Sequence, residues 1–353
     1  MTQPPLLDRL VDWDVANATA RRLARPGPEV SAAEAADVVA ELRQLAVSAQ
    51  PHVEAITGLH APSQGAVVLV IDRPGWVTAN LVSLRAMLEP VLEKLMARRS
   101  SEPNPLVMAL GSKVTGAEAG GLLAFLSSKV LGQYDINPGG IPRLLLVAPN
   151  MVQIERELGV DPTDFRRWVC LHEETHRVQF TAVPWLRQHM LDSARTLASD
   201  LAPDPKAFVS TLEDVARRLP GMLRGEGGSL IDLFASPEQR RRLAEVTAVM
   251  SLLEGHADVV MDEVGPAIVP TVAVIRERFN ERRAGTDPLD KMLRRLLGLE
   301  DKMRQYKDGA RFVRGVVNEV GMSGFNAVWT SPETLPTPDE VADPKAWVRR
   351  VHA

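Results

Sequence analysis

The chain has 353 residues, with 41 Lys and Arg against 45 Asp and Glu for a formal net charge of −4, and 45% of its residues are hydrophobic. That length can bury a sizeable core, and the basic residues are too scattered among acids to form the stripe that a phosphate backbone needs, so nucleic acid is not expected as a partner. The single cysteine, Cys170, excludes an internal disulfide and fits a reducing compartment.

Asp8, Arg9, Asp12 and Asp14 interrupt the N-terminal segment, so it lacks the apolar stretch of a signal peptide. The longest apolar runs, "GAVVLVI" and "LLLVA", are too short to span a bilayer. A cytoplasmic protein without a membrane partner is expected, and no signal for an oligomeric state is visible. Aromatic residues are only 5% of the chain, and runs such as "AAEAADVVAELRQLAVSA" repeat their apolar residues with helical spacing. The expected class is mainly α with a small β-sheet (α+β).

In chain order, helices are expected over roughly 5–25, 32–48 and 78–98. The second follows the breaker "RPGP" and starts at Ser31 with Glu34 three residues on, a capping-box arrangement. "AVVLVI" at 66–71 is either a buried strand or part of a helix. Residues 117–131 read as a helix that packs closely through Gly120 and Gly121. "GQYDI" and "RLLLVAPN" then read as two short strands around the turn "NPGGIP".

A helix over about 162–182 is closed by Pro184, and helical material continues through 185–220. "RGEGGS" at 224–229 reads as a flexible loop, a lid or subdomain seam. Helices over roughly 237–263 and 286–320 precede a Pro-rich tail, expected to be extended before a short final turn at "KAWVRRV". Three regions follow from this reading: 1–104 helical, 105–200 the core with edge strands, and 201–353 helical with the tail, packed as one compact unit.

The segment "CLHEETHRVQF" sits in the 162–182 helix. His172 and His176 are four apart, so they stack on one face and their rings can converge on one ion. Glu173 is turned by about 100° from His172, which lets its carboxylate reach a water without ligating the ion. H-E-x-x-H suits water activation for that reason: the imidazoles hold Zn²⁺ and the glutamate takes the proton. The bland alternative is a pair of core histidines bonded to backbone or acids. Glu174 and Thr175 read as ordinary helix residues, and Cys170 as a small core residue.

A catalytic zinc needs a third protein ligand. In "SLLEGHADVVMDEVG", Glu254 can supply it, and Asp258, four residues on, can accept a hydrogen bond from the outer nitrogen of a ligand histidine. His256 is the rival third ligand but points away from Glu254. A solvated acidic face formed by Glu254, Asp258 and Asp262 is the competing reading, and Gly255 would let another helix approach. An oxyanion donor besides zinc has candidates in Tyr134, Tyr306 and His256. The strand at 143–149 is placed to pair with an extended substrate, or else simply covers the core.

H-E-x-x-H on one helix and E-x-x-x-D on a later one resemble the gluzincin type of zinc metallopeptidase. Across most of the chain, "VDWDVANATARRLARPGP", "LGQYD", "LLLVAPN", "HEETHRVQF", "LEGHADVVMD", "MRQYKDGARFVRGV" and "FNAVWTSPETLPTPDEV" are similar to a zincin-like family of actinobacteria, labelled as hydrolases associated with deazaflavin coenzyme biosynthesis. The resemblance implies a zincin-like metalloprotease fold, a Zn²⁺ cofactor and a peptide or small amide substrate. Residues 177–253 separate His176 from Glu254, a longer insertion than the better-known gluzincins carry. A non-catalytic zincin-fold scaffold and a small-molecule amide or ester hydrolase are the alternatives.

Overall fold

The computed structural model describes residues 10–62, 67–97, 105–201, 236–284 and 299–353. The expected loop at 224–229 lies outside the described residues, as do parts of the helices expected over 5–25, 185–220 and 286–320. Two compact units divide the chain: Met1–Arg187 with Glu263–Arg276, and Gln188–Asp262 with Glu277–Ala353.

The first unit opens with α1 (Trp13–Leu23), whose N-cap Asp12 accepts from the Val15 amide, and α2 (Ala32–Thr57). Ser31 caps α2 by accepting from the Glu34 amide at 3.1 Å. The Glu34 carboxylate meets Arg156 at 2.6 Å. The helix expected to stop near 48 runs on through Pro51 to Thr57, held by buried Val53 and Thr57, and ends at Gly58 in the left-handed region (φ 67). Pro51 forfeits one backbone bond, and burial of Ala49 and Val53, two residues to either side, offsets that loss.

Strand β1 (Val67–Ile71) settles the ambiguous run as a strand, and α3 (Arg73–Ala97) begins two residues later. Helix α4 (Pro105–Ser127) starts well before its expected position. It approaches α1 closely through Gly116 and Gly120, where a methyl group would strike the carbonyls of Asp12 and Ala16. Gly121, the other expected contact, has room for one.

Strands β2 (Gly132–Asp135) and β3 (Arg143–Val147) complete a three-stranded sheet of order β1-β3-β2, with β1 parallel and β2 antiparallel to β3. Leu145 and Val147 join Ala16, Ala20, Trp76 and Val77 in one buried cluster. N-terminal helices and sheet therefore share a core.

"RLLLVAPN" is strand only as far as Val147. Pro149 then sits in the first turn of α5 (Ala148–Leu158), an element missed in the sequence although proline at that position favours a helix start. Helix α6 (Pro162–Ala182) follows, capped by Asp161, which accepts from the Asp164 amide. Arg166 anchors its first half: the guanidinium pairs with Glu155 of α5 at 2.5 Å and with Glu41 of α2. Asp164 accepts from both the amide and the hydroxyl of Thr271, tying in the later segment of this unit.

Helix α7 (Pro184–Leu201) leads into the second unit, which is built on α8 (Pro237–Glu263). Helix α9 (Gly265–Ile268) and the start of α10 (Val272–Ala284) belong to the first unit, and the second resumes with the rest of α10 and α11 (Leu299–Phe325), interrupted at Gly321. Helices α8 and α11 cross at Gly255 and Gly309, where a Cβ on Gly255 would overlap the Gly309 backbone; the close approach expected at Gly255 is with α11. The Pro-rich tail folds into 3₁₀ turns, α12 (Pro338–Ala342) and α13 (Pro344–Val351), and buries Trp347. It is more helical than expected, because Pro at the first helical position and the Thr337–Glu340 capping box start α12. Among the described residues, no helix is long and apolar enough to cross a membrane.

Candidate metal centre

Helix α6 carries the H-E-x-x-H segment between the sheet and α2. Val169, Cys170, Leu171 and Val178 are buried, so the helix cannot roll without exposing apolar surface. His172 and His176 are each half-buried on the face between those residues. Their ring centroids lie 4.9 Å apart with the planes at 90°. Nδ1 of His176 is 3.0 Å from Oε1 of Gln179, and Gln179 is itself buried.

Glu173 lies against β2. A methyl group on Gly132 would sit 2.6 Å from Cδ and 2.8 Å from Oε1 of Glu173. Two residues along the strand and on the same face, Tyr134 stacks on Phe180 with ring centroids 5.2 Å apart. Residues 173 and 180 are two helical turns apart, so β2 runs along the helix that carries the histidines. Burial pushes the Tyr134 hydroxyl up to about 12.

The strand expected to offer its edge to a substrate, 143–149, does not have a free edge. β3 is the middle strand, paired on both sides, with Leu144–Val147 fully buried. β2 occupies the edge beside α6. The Val147 amide donates to the Leu131 carbonyl, so 131 and 147 form a hydrogen-bonded pair, and by alternation 133 and 135 also pair inward. Gly132 and Tyr134 therefore turn their own N–H and C=O groups away from β3.

Glu174 departs from the expectation of an ordinary helix position. It is 1% exposed and Arg177 is 5% exposed. The Arg177 Nε donates to both Glu174 oxygens at 2.9 and 2.8 Å, and Nη2 donates to Oε1 at 2.5 Å. Burial pushes the Glu174 carboxyl up, while the bonds from Arg177 act in the opposite direction. Cys170 is a buried core residue whose thiol is pushed up by burial, so it is not a nucleophile.

In the second unit, Glu254 is half-buried on α8. Asp258, one turn on, accepts from Nη2 of Arg314 at 2.9 Å, and the same nitrogen also meets Asp262. His256 is fully buried, with its ring 5.2 Å from Phe325 and 5.5 Å from Trp329. Its face of α8 is packed into the core of this unit, away from the Glu254 face, as the helical spacing of 254 and 256 requires. The side chain of Tyr306, another expected oxyanion donor, lies outside the described residues. His172 and His176 are brought together on α6 of the first unit, and Glu254, the expected third ligand, lies on α8 of the second.

Two imidazoles and a carboxylate suit a divalent ion of intermediate softness such as Zn²⁺. The residues that sequence reasoning missed are Gly132, Gln179 and Arg314. Gln179 alone carried a signal, its place three residues after His176 on the same helical face.

A family model described as a zincin-like metallopeptidase matches residues 11–348. Among solved structures, a protein of Chloroflexus aurantiacus, described as a proposed hydrolase with a novel fold, is similar to this chain at 29% identity and a TM-score of 0.69. The likeness covers 97% of this chain and 99% of that one. No curated protein matches.

Proposed function

The chain belongs to the zincin-like metallopeptidase family, and from that premise we propose that it is a zinc-dependent peptidase. The observation that carries this reading is the pair of half-buried imidazoles on α6, 4.9 Å apart, with Glu173 beside them against the edge strand.

In this reading His172, His176 and Glu254 hold the ion. Asp258, anchored by Arg314, orients a ligand histidine from α8. Zinc bound there supplies Lewis-acid polarisation of a scissile carbonyl and acidifies water. Glu173 accepts the proton of the attacking water and passes it to the leaving amine. Glu173 is buried, and Gly132 leaves its side chain just the space it occupies. The Tyr134 hydroxyl, held protonated well above neutral pH by burial, is the donor best suited to a developing oxyanion.

The outward-facing backbone groups of Gly132 and Tyr134 favour an extended peptide over a compact small molecule. A peptide laid along β2 gains main-chain hydrogen bonds and brings its carbonyl toward Glu173.

Metal content by elemental mass spectrometry, on the native protein and His172→Ala side by side, tests the centre. About one zinc per chain, lost in the variant, supports the reading and makes a peptide-library screen the next step. A native protein that takes up no zinc even after it is added back would leave the fold a binding scaffold. Cleavage of small amides or esters but of no peptide would move the assignment to a small-molecule hydrolase.

A further inference from the structure

We infer that Gln179 is a positioning residue for the metal centre, fixing the tautomer and ring orientation of His176. The inference rests on His176 being a ligand. A neutral imidazole carries its proton on one nitrogen only, and a metal can take only the other. The Gln179 Oε1 lies 3.0 Å from Nδ1 of His176. A carbonyl oxygen accepts and cannot donate, so this contact places the proton on Nδ1 and leaves the Nε2 lone pair for an ion.

Three features make the contact an orienting one. Gln179 is fully buried, so water does not compete for its amide oxygen. It stands three residues after His176 on one rigid helix, so the distance does not depend on a loop. Buried Val178 fixes the roll of that turn of α6. In metal sites the partner of the outer ring nitrogen is usually a carboxylate, a backbone carbonyl or water, and its loss costs about 10- to 100-fold in metal affinity. A side-chain amide fills that role here. Being neutral, it leaves the charge of the ligand set unchanged, whereas a carboxylate would add one negative charge beside the ion.

The test uses the full-length protein, freed of metal, and Zn²⁺ alone as the probe in competition with a chromophoric chelator. Gln179→Met keeps the side-chain length and removes the acceptor, and Gln179→Glu restores an acceptor with added charge. We expect Gln179→Met to bind Zn²⁺ about 10- to 100-fold more weakly and Gln179→Glu to bind at least as tightly as the native chain. Far-UV circular dichroism of the metal-free variants should match the native chain, which separates lost affinity from lost fold. A merely structural glutamine would not give this split between the two variants.

If both variants bind like the native chain while His176→Ala loses affinity, the role of Gln179 is refuted and the metal centre stands. If His176→Ala binds Zn²⁺ as tightly as the native chain, the metal centre itself is refuted. A second measurement does not depend on the variants folding. Long-range ¹H–¹⁵N spectra of the metal-free native chain at neutral pH should show His176 protonated on Nδ1, and a proton on Nε2 would overturn the inference.

Discussion

The α carbon of Gly132 faces the side chain of Glu173 so closely that a β carbon there would stand 2.6 Å from the carboxylate carbon. No side chain larger than hydrogen fits without moving the proposed general base. Gly132→Ala should therefore leave zinc binding intact, since neither ligand histidine is displaced, and lower kcat about 100-fold through misplacement of the carboxylate. Zinc content and turnover measured on the same preparation check this. Unchanged turnover would mean that Glu173 can do its work from another rotamer.

Glu173→Gln keeps the shape of that side chain and removes its basicity. Hydrolysis should fall by at least about 100- to 10,000-fold, the scale of general-base assistance, with about one zinc retained per chain. Full turnover by this variant on a verified substrate would sink the proposed mechanism.

The buried Glu174–Arg177 pair predicts a stability effect that activity does not report. Glu174→Ala leaves the Arg177 guanidinium, 5% exposed, without its carboxylate and should cost about 3–5 kcal/mol in chemical denaturation. Replacing both residues by leucine should cost less than the single change, because no unpaired charge is then left inside. A double variant worse than the single one would show that the pair contributes more than charge neutralisation.

In the second unit, Glu340 joins α12 to α13. Its carboxylate accepts from Nε of Arg350 at 2.6 Å and from Nη2 at 2.8 Å, and it caps the Thr337 amide at 2.9 Å. Burial pushes its pKa up, but the Arg350 and Thr337 bonds outweigh it, and the net shift is downward from the ordinary 4.5. A carboxyl with a depressed folded pKa contributes stability at pH values above its unfolded pKa and loses it as pH falls toward the folded one. Thermal stability should accordingly decline on acidification below about 4.5, and Glu340→Gln should flatten that part of the profile while lowering stability at neutral pH. Superimposable profiles for the native chain and the Glu340→Gln variant would rule this out.

Several elements of this protein are legible in local pattern alone. His172 and His176 fall on one helical face because their spacing is four, and Glu173 falls off it because its spacing is one. Glu254 is nameable as the proposed third ligand, and the sheet's three strands are all marked as short runs between breakers. The chemistry of α6 depends on helical spacing, which sequence states directly.

Strand order is different in kind, because pairing joins residues far apart in the chain. "RLLLVAP" reads either as a substrate-pairing edge or as a hairpin strand covering the core, and the structure pairs it with β1 and β2 on both its sides, which hands the free edge to β2. The same holds for Gly132 against Glu173, Gly255 against Gly309, and Arg314 against Asp258, each a contact across elements. Burial also reverses the reading of Glu174: a charge at a helical position looks solvated in sequence, and its pairing with Arg177 gains weight only because α6 is enclosed. Residue types and spacing determined which chemistry this protein carries. Tertiary packing decided where that chemistry is held, because whether a backbone edge is open and a charge is dry depends on neighbours that sequence does not place.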